Sequence, residues 1–369
     1  MQTWKLLKYN PHLFQRYFIK EYLIKACRRF FEDRNYHELE SPLMTDSLPQ
    51  ERYLDVLDVK IERKRGSGTA PTENKTAYIT PTTETYNKRI LAAGLGEHYV
   101  ITKVARGTED IGPNHLPEFT MLEWYHLDTD YNGLMDDCEE LFKFTYNYIK
   151  DALKKEKTLN RFMIDDSKFN NNLELNYQGQ IINLNSPWDR VSVPEALEKF
   201  AGIKLEDIQS LEEIKEAAKK KGYNVEGIND WQTVFELIFM SEVEPKFSKD
   251  KLTFVYEYPK QVCVLVKPST KNPLVCEKVE LYFAGREVAN GYTELIDWKL
   301  QQEKFMEEQA ARKELGMKDV KIDTDLIEAL KEGLPNVSGI GMGLDRVAMI
   351  FADAKSISDI NYFPASDWL

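Results

Sequence analysis

Val279-Glu-Leu-Tyr-Phe-Ala-Gly-Arg-Glu-Val-Ala-Asn-Gly-Tyr-Thr-Glu-Leu295 is strand-like along its length, with one break at Ala284-Gly285. A two-residue turn there would fold the stretch into a β-hairpin, because short loops of this kind reverse antiparallel strands. That register sets Tyr282 opposite Glu287 and makes Glu280, on the same face, a diagonal neighbour of Glu287. A bend at Asn290-Gly291 is expected to bring Glu294 round as well. Three carboxylates, seven residues apart, then stand among Val, Leu, Tyr, Phe and Ala. Carboxylates in such company are costly to desolvate unless a cation meets them. Solvated charges on a half-exposed hairpin are the plainer alternative. The apolar neighbours favour a cation site for Mg²⁺, a substrate ammonium, or both.

Outward from this hairpin, the order of elements sets the fold class. Leu13, Tyr17, Leu23, Ile24, Cys27, Phe30 and Phe31 recur at three- and four-residue steps, which predicts a helix from Pro11 to about Arg34, stopped by Asn35. Tyr36–Met44 reads as a strand ended or edged by Pro42. Tyr78–Thr82, Tyr99–Val104, Pro117–His126, Thr253–Pro259 and Gly339–Gly343 also read as strands. Helices are expected over Glu84–Ala93, Tyr131–Lys155, Trp231–Glu242, Trp298–Leu315, Asp325–Lys331 and Leu344–Phe351. Residues 62–76, basic and rich in Gly, Ser and Thr, are expected to form a mobile loop. Residues 156–230 read as a peripheral insertion of polar hairpins and short helices. Strands joined by hairpins rather than βαβ crossovers argue for an α+β protein: one domain over 1–369, its mainly antiparallel sheet flanked by helices.

Of the 369 residues 30% are charged, and the net charge of −12 disfavours non-specific contact with nucleic acid. Cys27, Cys138, Cys263 and Cys276 lie far apart with no zinc-ligand spacing, and read as reduced thiols. No signal-peptide or membrane-spanning run is visible, so a cytoplasmic protein without a membrane partner is expected.

Two further segments carry chemistry. In Arg106-Gly-Thr-Glu-Asp-Ile-Gly-Pro-Asn-His-Leu-Pro-Glu-Phe-Thr-Met-Leu-Glu-Trp-Tyr125 an arginine ends one strand, a polar loop follows, and a second strand returns with Glu118, Glu123 and Tyr125. That layout suits a triphosphate, with a guanidinium at the α-phosphate. In Ser338-Gly-Ile-Gly-Met-Gly-Leu-Asp-Arg-Val347, alternate glycines permit a flat ligand to approach the strand closely, or simply allow tight helix–sheet packing. Arg346 falls in the first turn of the next helix. Two arginines with Mg²⁺ on acidic side chains would suit attack of a carboxylate on the α-phosphate of ATP, a reaction driven by positioning and charge neutralisation.

On these motifs the sequence resembles the class II aminoacyl-tRNA synthetases of the lysine type. Tyr36–Met44 looks like the dimer-interface motif 1, Arg106–Tyr125 like motif 2, and Gly341-Met-Gly-Leu-Asp-Arg346 like motif 3. Glu-Val-Ala-Asn-Gly-Tyr-Thr-Glu294 is similar to the lysine enzymes' signature. The likeness spans about residues 11 to 365. Only about ten residues precede the first catalytic helix, so an anticodon-reading OB-fold is not expected. That layout resembles the branch that attaches β-lysine to a lysine of elongation factor P.

The resemblance implies ATP contacts at Arg106, Glu109, His115, Phe119, Glu287, Val288, Gly343 and Arg346, with Arg106 and Arg346 catalytic. Phe119 would stack on the base, and Glu280 and Glu287 would hold Mg²⁺. Glu294 with Tyr125 would bind the substrate's ε-ammonium, Glu123 lying nearby. Glu84, beside Thr82 and Thr83, would meet the other amino group, and Asn290 the carboxylate region. Gly341 lies in the amino-acid pocket, where a small residue would admit α-lysine as well as β-lysine. Motif 2 departs from the family: its arginine falls one place early, through an inserted residue or through Gly107 in the arginine's place, the insertion being favoured. The implied protein is an ATP-dependent lysine or β-lysine ligase, a homodimer, with elongation factor P as acceptor. A truncated enzyme charging tRNA or another acceptor, or a catalytically silent paralogue, are the alternatives.

Overall fold

The computed structural model of the chain describes residues 2–48, 50–63, 73–107, 112–159 and 162–367. Its centre is an eight-stranded sheet built from β1 (His37–Glu38), β2 (His98–Ala105), β3 (Glu118–Leu127), β4 (Asp189–Ser192), β5 (Thr253–Pro259), β6 (Val275–Phe283), β7 (Arg286–Thr293) and β8 (Val337–Gly343). The strand order is β1-β2-β3-β8-β7-β6-β5-β4. The pairs from β2 through β5 are all antiparallel, and the edge strands β1 and β4 add in parallel. The α+β expectation is therefore met.

Alternation assigns the two faces. In β3, Leu122 and Trp124 are fully buried in the main core, while Met121, Glu123 and Tyr125 point to a cavity. In β6, Val279, Leu281 and Phe283 join the same core, while Lys278 faces that cavity and Glu280 and Tyr282 the lobe beside it. Against the core side pack α1 (Phe14–Glu32) and α3 (Tyr131–Leu159). Leu134, Met135, Cys138, Leu141, Phe142, Ile149 and Leu153 recur at helical spacing along α3 and are all buried. On the other side, short helices between Val193 and Lys246 share an apolar cluster with Val255, Tyr258 and Tyr282 of the sheet.

The quoted hairpin closes where its sequence requires. Ala284 and Gly285 both take positive φ, 52° and 70°, as a two-residue turn of this hand demands. Tyr282 pairs with Glu287 as expected. The expected bend at Asn290-Gly291 is replaced by a bulge two residues earlier: Leu281 pairs with Ala289 and Tyr282 with Glu287, leaving Val288 as the extra residue. From Ala289 onward, β7 pairs without a break against β8. The bulge also moves Glu280 opposite Asn290.

The strand expected over Tyr36–Met44 is not continuous. His37–Glu38 pairs with β2, and Met44–Thr45 pairs in a separate three-stranded sheet. Pro42 has no N–H to donate, and its carbonyl turns instead to the Thr80 hydroxyl, 2.9 Å away. The loop expected at 62–76 lies mostly outside the described residues; Asp58–Arg63 and Glu73–Ile79 enter and leave it as an antiparallel pair. No helix among the described residues is long and apolar enough to cross a membrane.

Candidate active site

The open face of the sheet floors a cavity of about 260 Å³, beside a second lobe of about 470 Å³ with which it shares Lys278, Glu287 and Arg346 in its lining. The registers set side chains in rows across the strands. Glu123, Gly341, Asn290 and Glu280 form one row; Tyr125, Gly339, Tyr292 and Lys278 form the next. The glycines of β8 make the trough between bulkier neighbours. At Gly339 the reason is internal, because a Cβ would lie 2.5 Å from both Glu294 Oε1 and Tyr125 Cε1. At Gly341 a Cβ would meet Met121 Sδ at an ordinary 3.6 Å.

One end of the cavity is acidic. Glu84, Glu123 and Glu294 are 7%, 4% and 2% exposed. Glu123 is satisfied by neutral donors: the Thr82 hydroxyl at 2.7 Å, the Thr83 N–H at 2.9 Å, the Thr83 hydroxyl at 2.6 Å and the Asn87 amide at 3.1 Å. Glu84 and Glu294 share the ammonium of Lys88, whose Nζ lies 2.5 Å from a carboxylate oxygen of each. Burial pushes the Glu294 carboxyl up to about 8 against the pull of Lys88, and burial also raises Glu123. Tyr125 stacks on His98 at 5.1 Å and forms the wall of this end.

The other end is cationic. Arg106 leaves the end of β2, its N–H bonded to the Pro117 carbonyl, and its guanidinium lies 5.5 Å from the centre of the Phe119 ring. Arg106 lines the cavity, and a Cβ at Gly107 would meet the Asp55 carboxylate at 2.7 Å. Arg346 rises from the first turn of α4 (Leu344–Phe351) and donates to the carbonyls of Glu287 at 2.8 Å and Asn114 at 3.3 Å. His115, Val288 and Gly343 also line this cavity. Glu109 lies outside the described residues.

Glu280 and Glu287 face the second lobe together. Glu280 accepts from Tyr258 at 2.5 Å and Tyr282 at 3.2 Å, and pairs with Lys278 at 2.8 Å. Glu287 makes no side-chain hydrogen bond among the described residues, and burial, then Glu280, push it up to about 7. Mg²⁺ is commonly held by one or two carboxylates with phosphate oxygens completing the shell, and this pair fits that mode. No group of three or more His, Cys, Asp or Glu that could hold a metal ion exists among the described residues.

Sequence reasoning missed Lys88, Lys278, Tyr292 and Glu51, all of which line or support the cavity. Lys88 had a signal in its four-residue spacing from Glu84, but that spacing ordinarily marks an exposed helix pair. Lys278 and Tyr292 become visible only once the bulge fixes which residues of the hairpin share a face.

The whole described architecture, residues 3–367, matches the family model for tRNA synthetases class II (D, K and N). The chain belongs to this family. Among the relatives of the chain, the lysine–tRNA ligase of Legionella pneumophila (strain Paris) is 32% identical over 94% of this chain and 64% of its own length. That of Carboxydothermus hydrogenoformans is 31% identical over 96% of this chain and 66% of its own. The chain thus spans about two thirds of these tRNA ligases. The elongation factor P–(R)-β-lysine ligase of Yersinia enterocolitica is 33% identical over 93% of this chain and 92% of its own length.

Proposed function

We propose that the protein activates lysine or β-lysine with ATP as an aminoacyl-adenylate and transfers it to a lysine side chain of elongation factor P. The observation that carries this reading is the buried acidic end of the cavity, where three carboxyl groups gather around the single ammonium of Lys88. An incoming ammonium would favour the charged form of Glu294 that burial disfavours, and a diamino acid brings two such groups. The relative of matching length, named as a β-lysine ligase for elongation factor P, supports the acceptor.

In this reading Glu294 and Tyr125 receive the side-chain ammonium, Glu84 the second amino group, and Asn290 orients the carboxylate. Arg106 and Arg346 hold the phosphates at the opposite end, with His115, Phe119, Val288 and Gly343 around the nucleotide. Mg²⁺ on Glu280 and Glu287 would supply neutralising charge to the outer phosphates. The substrate carboxylate oxygen attacks the α-phosphorus, and the bond to pyrophosphate breaks. The acceptor amine, unprotonated, then attacks the acyl carbon; AMP leaves and the nitrogen loses its extra proton. Leu43 and Met44, 54% and 46% exposed beside β1, offer the apolar surface a homodimer would cover.

ATP–pyrophosphate exchange with α-lysine and β-lysine, wild type against Glu294→Gln, tests the first step. Exchange with at least one amino acid, lost in the variant, is expected; no exchange with either would sink the reading. Purified elongation factor P and tRNA, offered in parallel with a mass or gel-shift readout, decide the acceptor. The tRNA alternative keeps its place through the identity to the lysine–tRNA ligases.

A further inference from the structure

Lys88 is 0% exposed, and its ammonium sits among the carboxyl groups that would meet the substrate. It lies on α2 (Glu84–Ala92), one turn after Glu84, and reaches inward instead of to solvent. A buried lysine normally has a single partner; this one serves two carboxylates on different elements, Glu84 of its own helix and Glu294 just past the end of β7. Lys88 Nζ lies 2.5 Å from Glu84 Oε1 and 2.5 Å from Glu294 Oε2. The face of Tyr292 closes the ammonium off at 5.7 Å from the ring centre.

Consequently the carboxylates assigned to the substrate's two amino groups are tied together by an ammonium that belongs to the protein. Without it, two carboxylates held close in a dry pocket would take up a proton between them, since like charges at short range cannot both stay ionised. A protonated carboxyl cannot pair with an ammonium, and the substrate would then have to compete with that proton.

We propose that Lys88 is a positioning residue for substrate recognition: its buried ammonium, clamped between Glu84 and Glu294, holds both side chains in place and draws Glu294 toward its charged form, so that the pair accepts the amino groups of a diamino acid. The proposal rests on the lysine-activation reading. Several other titratable groups face this cluster. Glu123 and Tyr125 come from β3, Tyr292 from β7 and Glu51 from the segment above the cavity, while His98 of β2 lies behind Tyr125. Glu123 is held by four hydrogen bonds from neutral donors, and burial lowers His98, so it stays neutral as pH rises.

The test is the KM for lysine in pyrophosphate exchange, measured from pH 6.5 to 9, for wild type, Lys88→Met and Lys88→Gln. At pH 7 the Met variant should show a KM raised ~tenfold or more with kcat little changed; the wild-type KM should fall as pH passes about 8, where Glu294 ionises, and the variant's only at higher pH, so the gap varies with pH. Lys88→Gln keeps most of the length and can donate to one carboxylate, so it guards against simple misfolding and should fall between the two. Melting temperature and the KM for ATP report on the fold. A KM raised by the same factor at every pH, or a loss confined to kcat, would overturn the role of Lys88 while leaving the lysine reading intact. Absence of exchange in the wild type with either lysine would remove that reading, and the inference with it.

Discussion

Gly339 and Gly341 stand two residues apart on one face of one strand, yet a methyl group would meet different surroundings at each. At Gly339 it would collide with Glu294 and Tyr125 at 2.5 Å; at Gly341 it would make ordinary contact with Met121 and Glu123. Gly339→Ala should therefore displace the ammonium site and cut kcat/KM for lysine by roughly a hundredfold in exchange assays. Gly341→Ala should cost less than about 1 kcal/mol in a denaturant melt. Its effect should fall on selectivity, shifting the ratio of exchange with α-lysine to that with β-lysine by roughly tenfold. Glu294 allows a test by pH. Its folded-state pKa of about 8 lies above the ordinary 4.5, so the stability it contributes is complete below 4.5 and is lost as pH rises toward 8. The melting temperature of the ligand-free wild type should fall across that window more steeply than that of Glu294→Gln; equal slopes would contradict the assignment. Of the residues named from sequence, nearly all line the two lobes, many of them from β3, β7 and β8. Thr83 acts from behind, through Glu123.

At the scale of elements, the bulge at Val288 determines which residues of β7 face the cavity. Glu287 and Glu294 are seven apart, and an unbroken strand would send them to opposite faces. One extra residue restores the phase, so that Asn290, Tyr292 and Glu294 follow Glu287 onto the cavity side. Deleting Val288 would leave Glu287 and Ala289 as consecutive partners of Tyr282 and Leu281, so the register with β8 would survive without the bulge. Val288→Ala keeps the bulge and should cost only about 1–2 kcal/mol with exchange retained. The turn at Ala284-Gly285 was legible because its chemistry is local. The bulge was not, since nothing in Glu-Val-Ala marks it; it arises where β7 must satisfy β6 and β8 at once.

At the scale of the molecule, a distant helix holds one wall of the cavity. Arg312, 2% exposed on the helix Trp298–Glu314, donates to the carbonyls of Glu51 and Leu54 at 2.6 and 2.7 Å and of Lys318 at 3.2 Å. Glu308 of the same helix pairs with Arg52. The segment so held places Glu51 and Leu54 at the cavity and lays Asp55 against Gly107, next to Arg106. Arg312→Met should strip several buried carbonyls of their donor, costing about 2–3 kcal/mol in a denaturant melt. It should also raise the KM for ATP several-fold through Arg106; an unchanged KM with the same destabilisation would limit Arg312 to the fold.

The sequence by itself determined the α+β class, the hairpin turn, the amphipathic helices and the identity of most side chains that face the cavity. The class, the turn and the helices follow from periodicity or from local turn chemistry, which neighbouring residues settle among themselves; the site residues follow from the motifs shared with the family. Only the tertiary structure decided that Tyr36–Met44 is divided between two sheets, that Val288 rephases the glutamates, and that Lys88 points into the site. Those outcomes depend on which strands and helices meet. A buried ammonium between two carboxylates exists only after Glu84, Lys88 and Glu294 have been brought together from opposite ends of the chain.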